Sequence, residues 1–441
     1  MKRSRPAPLA LPRWPRANRL ELIRQRQEYL RALPHWELSH HHVLDWPVPA
    51  DTLARFLECL TGHMVLPVGI VGPLVLNFGL YALDESGTVC EEKRENDQVF
   101  VPLAHTEGGL SASVQRGMRA TALSGGVRTQ VLADRMTRDS CFVFRSTEEA
   151  ATLARWVAAR RAAMIEWLKD PLNPFRSGTP GAPSGKSAKG LPLVSAHAVL
   201  REVEPHVLGS MCHLLYRFTT GDACGPNMIT RNAYALNQGF VLARFPRDTG
   251  ITPLRVFLET NMGGDKKPSH AFFQFPGHGK VVLAEATVPR TVLRRVLRVD
   301  VEDIVALEHA GLHGAHASGM QSFAFTPASA VAAIFAATGQ DLGMVGTSSM
   351  AQAAVTRLGD DLHLSIRFSG LEVGTVGGGT GLPHAQAYLQ LMDCLGAGKV
   401  YRFAQIIAAT ALCLELSAAA SMAAAGSQNF LQAHLERGGL R

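Results

Sequence analysis

The C-terminal stretch FAQIIAATALCLELSAAASMAAAG, residues 403–426, constrains the fold more than any other part of the chain. Its length and apolarity suggest a membrane span, yet it carries Gln405, Glu415 and several serines, and alanine dominates over leucine. Such a helix offers no polar face to water and no bulky apolar run to lipid, so it reads as a helix packed on all sides by protein. The rest of a 441-residue chain must then enclose it, and that length suffices for two or three domains and a sizeable core. Apolar residues at 46% and charged residues at 18% agree with a well-buried protein.

Charge narrows the partners. The formal balance of +7 suits an anionic small molecule, part of it sits in the first 28 residues among four prolines, and no basic helix with interleaved aromatics is present. Nucleic acid is therefore not expected. Seven scattered cysteines without a C-x-x-C pair read as free thiols in a reducing, cytoplasmic setting, with neither disulfides nor a zinc site. The Pro-broken N-terminus lacks an apolar signal core, and His40, His41 and His42 read as native sequence. Ser184-Gly185-Lys186-Ser187 evokes a P-loop, but Pro180 stands where that pattern needs glycine.

Periodicity divides the chain as an α+β protein. Residues 19–33 form an amphipathic arm within an N-terminal helical piece (1–50), and LPVGIVGPL at 66–74 reads as a punctuated apolar loop. HTEGGLSASVQRGMRATAL, 105–123, predicts a buried helix whose small residues let another backbone approach. Residues 127–259 then read β-α-β-β-α-β, the order of a ferredoxin-like split motif, with Ser146 to Glu149 as a capping box and a flexible Gly/Pro/Ser insertion at 173–192. Residues 51–126 and 260–441 make up a larger unit into which this small domain is inserted.

Several short motifs carry chemistry. Asn261-Met-Gly-Gly-Asp265-Lys266-Lys267-Pro268 begins where the last strand of the inserted unit ends, and reads either as a solvated charged turn or as a lysine fixed beside a reacting group. Gly374-Thr-Val-Gly377-Gly378-Gly379 lacks the dinucleotide fingerprint spacing; it is either a tight loop beside a helix or a close backbone approach to a ligand. Asp222 and Gly225 precede a helix opened by Pro226 and Asn227, where Asp222 caps the helix or the free N–H groups receive phosphate. Glu107 reads as a first-turn carboxylate, Asp341 as a turn residue, and His434 as a histidine near the C-terminal tail.

In order, LPVGIVGPL, TEGGLSASVQRGMRA, LADRMTR, GDACGPNMI, GGDKKPS, TGQD and LEVGTVGGGT resemble 3-hydroxy-3-methylglutaryl-CoA reductase over roughly residues 15–435. The arrangement is similar to the eukaryotic-type class without its membrane anchor. The resemblance implies a large domain around a central helix, an inserted ferredoxin-like domain binding NADPH or NADH, and a homodimer or higher homo-oligomer sharing its active site between subunits. It implies catalytic roles for Glu107, Lys266, Asp341 and His434, and substrate contacts at Arg138, Ser113, Asp265 and Lys267. Cofactor contacts follow at Asp222, Gly225, Asn227, Ser195, Gly377 and Gly378. By the same resemblance, a fixed ammonium would stabilise the oxyanion of each thioester or aldehyde reduction, Glu107 would supply a proton, and His434 would protonate the departing thiolate.

Departures from the family pattern accompany these matches. No lysine occurs from 281 to 398 and no asparagine from 262 to 428, so polar substrate anchors of the family are missing, and His316 is one candidate for its internal histidine. A family serine has become Glu259, which would repel a carboxylated acyl group; the expected Ser-Arg pair is Ser195-Ala196, with His197 beside it; and Met350 replaces an asparagine. Three expectations follow: reduction of an acyl thioester borne by CoA or a carrier, non-redox acid–base chemistry such as cyclisation in bacterial specialised metabolism, or a non-catalytic binding paralogue. The retained Glu, Lys, Asp and His set argues against the last.

Overall fold

The computed structural model describes residues 19–31, 48–54, 56–57, 59–177, 193–274, 277–428, 430–431 and 435. His434, His40 to His42 and residues 178–192 of the expected insertion lie outside them. In chain order the strands are β1 (Val68–Leu83), β2 (Val89–Ala104), β3 (Val127–Val143), β4 (Val199–Leu208), β5 (Met211–Thr219), β6 (Arg255–Leu258), β7 (Gly279–Val288), β8 (Ala351–Leu358) and β9 (Asp361–Leu371). The helices are α1 (Arg19–Arg31), α2 (Ala50–Ala54), α3 (Leu110–Ala122), α4 (Thr147–Ala158), α5 (Arg161–Lys169), α6 (Pro174–Ser177) and α7 (Pro226–Leu236). They continue with α8 (Leu242–Thr249), α9 (Arg290–Val292), α10 (Val301–Ser318), α11 (Pro327–Thr338), α12 (Val345–Ser348), α13 (Pro383–Leu391) and α14 (Val400–Ala423).

Helix α14 is the apolar C-terminal segment, and it is buried over nearly its whole length. It is long and apolar enough to cross a bilayer, but here the protein itself surrounds it. Its two conspicuous polar residues each complete another element. Gln405 pairs with the β1 backbone at Gly79, accepting its N–H and donating to its carbonyl, and it accepts from the Thr129 hydroxyl. Glu415 accepts from the Phe325 and Thr326 N–H groups and the Thr326 hydroxyl, closing the start of α11. Helix α3 lies against α14 because Gly117 has no side chain: a Cβ there would sit 1.8 Å from the Cys413 carbonyl oxygen.

Strand β3 ties two sheets together. Its first half pairs antiparallel with β7, within the order β2-β1-β3-β7-β9-β8. Its second half pairs antiparallel with β5 and β6, and β4 extends that side through β5. Each half has its own apolar cluster. One, including Leu74, Val114, Phe368 and Phe403, surrounds α3 and α14. The other, including Phe142, Trp156, Phe218 and Phe240, lies among residues 136–258 under α4, α5, α7 and α8.

One reading of the sequence is corrected here, and two elements are added to it. Residues 66–74 are mostly strand rather than loop: β1 alternates buried Leu74, Leu76 and Phe78 along one face, and its Gly72-Pro73 pair falls at a bulge in the register with β2. The hairpin partner β2 and the 18-residue α10 were not foreseen. β2 is rich in charged residues because most of its first half faces solvent, and α10 keeps few residues buried, so neither shows a clean apolar stripe.

Candidate active site

The segment 259–267 leaves β6 and crosses above β3, where several bonds pin it. Glu259 N–H donates to the Asp139 carbonyl at 2.8 Å and Thr260 N–H to the Asp139 carboxylate at 3.1 Å. The Thr137 hydroxyl donates to the Gly263 carbonyl, and its oxygen meets Nδ1 of the buried His278 at 2.6 Å. Held this way, Glu259, Asn261 and Lys266 all adopt left-handed backbone, with φ of 75°, 74° and 59°. Such conformations cost residues other than glycine about 1–3 kcal/mol each and persist only where surrounding contacts over-determine them.

The strained turn delivers Lys266 to Asp341. Lys266 Nζ lies 2.7 Å from Asp341 Oδ2 with both side chains about half exposed (47% and 46%), which leaves the ammonium open to a ligand. Asp341 is fixed in turn by accepting the Gly343 N–H at 2.9 Å. Gly343 matters by its lack of a side chain, since a Cβ there would stand 3.2 Å from Nζ. The Asp341 hydrogen bond holds the Lys266 pKa above its ordinary value, so the group is a fixed cation at neutral pH. Of the residues expected from sequence, the structure brings these two together, as it does Arg138 and Asp265.

Arg138 is buried beneath the turn, its side chain only 5% exposed, and both ends of its guanidinium are taken. Nη1 donates to Glu259 Oε2 at 2.8 Å and Nη2 to Asp265 Oδ2 at 3.1 Å. Lys267 is exposed beside them. Deeper still, His278 faces Glu372 at 3.3 Å and stacks on Phe272 with ring centroids 4.7 Å apart. His278, Glu372 and Thr137 were not singled out from sequence. The available signal was a histidine just before one apolar strand, β7, and a glutamate just after another, β9.

Other expected residues lie elsewhere. Glu107 precedes α3, whose cap is the left-handed Gly109, so it is not a first-turn carboxylate. It is exposed, and among the described residues it makes no hydrogen bond or ion pair with the Lys266 turn. The Ser113 hydroxyl meets that of Ser417 at 2.9 Å, tying α3 to α14. Asp222 caps a helix, but a distant one: its carboxylate accepts from the N–H groups of Gly398, Lys399 and Val400 at the start of α14. Ser195 is buried, its N–H donating to Asn232. His316 is exposed on α10.

The glycine run at 374–379 approaches protein backbone first. A Cβ on Gly374 would lie 2.7 Å from Cys224 N, and Thr375 N–H donates to the Asp222 carbonyl at 2.8 Å. Gly377 and Gly378 then turn outward with positive φ and open space around them. The start of the run, at Gly374 to Val376, lies against Asp222 to Cys224, which lead into Gly225, the left-handed cap of α7; that cap offers no side-chain acceptor to the helix, and Asn227 is exposed in its first turn. An uncapped helix N-terminus beside exposed glycine backbone fits the phosphates of a dinucleotide. Among the described residues no group of three or more His, Cys, Asp or Glu side chains is placed to hold a metal ion.

A family profile described as Hydroxymethylglutaryl-coenzyme A reductase matches residues 22–438. The chain belongs to the hydroxymethylglutaryl-coenzyme A reductase family. A 3-hydroxy-3-methylglutaryl-coenzyme A reductase of Aeropyrum pernix is 34% identical over 435 residues, covering 96% of this chain and 91% of its relative. That of Pyrococcus abyssi is 35% identical over 393 residues, covering 87% and 85%. Among solved structures, the class II reductase from Streptococcus pneumoniae bound to NADPH in open conformations shares the fold, with a TM-score of 0.60 at 16% identity. That alignment covers 90% of this chain and 96% of the other. Hydroxymethylglutaryl-coenzyme A reductases are oxidoreductases, and the fold class expected from sequence is that of their solved structures.

Proposed function

We propose that the protein reduces an acyl thioester of CoA or a carrier to the alcohol, using NADPH or NADH. The observation that carries this reading is the Lys266–Asp341 pair: a cation kept charged by a 2.7 Å contact yet half open to a ligand. A bound dinucleotide would supply hydride twice, once to the thioester and once to the aldehyde that forms when the thiolate leaves. In balance, one thioester, two reduced nucleotides and two protons give alcohol, thiol and two oxidised nucleotides. At each hydride addition negative charge gathers on the carbonyl oxygen, and a fixed ammonium there stabilises it far better than mobile water does. Asp341 holds Lys266 in place and in its charged form.

In this reading the unit 127–259 is the inserted nucleotide-binding domain. Gly377, Gly378, Gly225 and Asn227 meet the dinucleotide, while Asp222 and Ser195 shape that wall from behind. Glu107 supplies a proton from a second copy of the chain, which its exposure and its lack of a bond to the Lys266 turn support. The assembly is then a homodimer or larger, working in the cytoplasm, with His434 protonating the thiolate.

Titration with NADPH and with NADH, followed by thioester-dependent nucleotide oxidation, tests the proposal. Binding of one nucleotide and loss of turnover in Lys266→Met are expected. Failure of both nucleotides to bind would overturn it, and surviving Lys266-dependent turnover of another kind would establish acid–base chemistry instead.

A further inference from the structure

We infer that Glu259 is an internal carboxylate that fills the anion site at Arg138, so the acyl group this protein accepts bears no carboxylate of its own. The inference rests on the proposed thioester reduction for its substrate class, but the contact itself is independent of any redox step. Asp265, which pairs with Arg138, also acts on the charge of Lys266, helping to raise its pKa. An acyl group whose carbonyl oxygen meets Lys266 therefore lies within a few carbon atoms of the Arg138 cluster.

What that acyl group would meet is decided by charge. Arg138 is the buried cation of this wall, and Glu259 and Asp265 take one Nη each, at 2.8 and 3.1 Å. The second Glu259 oxygen is also engaged, accepting the Asn261 N–H at 2.8 Å. Gly263 packs so closely on Glu259 that a Cβ there would lie 2.8 Å from Oε2. The glutamate is thus built into the turn, held by a left-handed residue on each side of its bond to Asn261. Arg138 already faces two carboxylates, and Asp341 contributes a third on the far side of Lys266. Exposed Lys267 is the remaining cation of the turn, and it is open to solvent.

A carboxylate brought to this wall would have to displace Glu259 or lie beside two like charges, and like-charge juxtaposition is strongly penalised. A neutral group meets no such penalty. The substrate class is therefore a neutral acyl thioester.

Two thioesters isolate the effect: 3-hydroxy-3-methylpentanoyl-CoA and 3-hydroxy-3-methylglutaryl-CoA, which differ by a methyl in place of a carboxylate. Wild-type protein should favour the first in kcat/KM, and Glu259→Ser should shift the ratio toward the second by about a hundredfold. Glu259→Gln, which keeps the side-chain shape, should shift it the same way by less. Calorimetric titration with free 3-hydroxy-3-methylglutarate needs no turnover. Binding to Glu259→Ser, none to wild type, and loss again in Glu259→Ser with Arg138→Met are expected. If wild type binds the free dicarboxylate as tightly as Glu259→Ser, or prefers the carboxylated thioester, the inference is overturned. If wild type turns over neither thioester, the titration still decides the role of Glu259.

Discussion

Two lysine–aspartate pairs stand in the same molecule under opposite conditions. Lys280 and Asp134 are direct cross-strand neighbours on β7 and β3, both fully buried, with 3.5 Å between Nζ and Oδ1. Lys266 and Asp341 come from turns, lie half exposed, and meet at 2.7 Å. The buried pair also takes in Tyr401 of α14, whose hydroxyl donates to Asp134 Oδ2 at 3.0 Å and whose own ionisation is suppressed by burial. Desolvation makes each buried partner indispensable to the other, whereas water cushions the exposed pair. The first pair serves the join between sheet and central helix; the second is free to act on a ligand.

Breaking the buried pair should give the largest effect. Lys280→Met leaves Asp134 with Tyr401 alone and should lower stability by about 3–5 kcal/mol, read as a shift in the urea midpoint. Adding Asp134→Leu should recover much of that loss, because the uncompensated charge goes with it. Lys266→Met should do the reverse: turnover falls about 10²–10³-fold, the scale of losing one oxyanion partner. Its stability should stay within about 0.5 kcal/mol of wild type. A large stability loss in Lys266→Met, or none in Lys280→Met, would abolish the distinction.

The sequence reveals features whose cause is local. Ser146 accepts the Glu149 N–H and Glu149 accepts the Arg145 N–H, a capping arrangement contained within five residues. The burial of α14 follows from its own composition. The Lys266–Asp341 pair was legible only through ordered motifs, since nothing near residue 266 points to residue 341. Asp222 shows the limit more sharply. Its local context suggests a cap for α7, but its partners lie 176 to 178 residues away at the start of α14. His278 and Glu372 were missed because a polar residue at the end of an apolar strand acquires meaning only from what packs against it. Arg138 stands between these cases: its type and motif were legible, while the two carboxylates that occupy it emerge only in three dimensions.

The exposed pair can also be tested by pH. Asp341 raises the Lys266 pKa through its hydrogen bond, so the ammonium persists above its ordinary titration range. Any rate that depends on the cation is then full at neutral pH and declines only as pH rises through that elevated value. Asp341→Asn removes the cause and should move the alkaline limb of kcat to lower pH, while NADPH binding is unchanged. An alkaline limb that stays in place would show that Asp341 does not set the charge of Lys266.

Glu308 supplies the smallest effect and a third condition: a half-buried carboxylate whose partner is a backbone N–H rather than a cation. It accepts the Val355 N–H at 2.8 Å at the edge of an apolar cavity of about 170 Å³ lined by α10, β8 and α14. Burial raises its pKa, and the single N–H pulls the other way without prevailing. A carboxyl whose folded pKa is raised favours folding in its neutral form. Its contribution is present below the unfolded value near 4.5 and is lost as pH rises through the folded value. Glu308→Gln keeps an acceptor for Val355 and cannot ionise, so it should be more stable than wild type at neutral pH. With the group partly solvated, the gain should be about 0.5 kcal/mol or less. The two proteins should converge as pH falls below about 4.5. Equal stabilities at every pH would show that solvent reaching Glu308 supports its charge as well as a cation would.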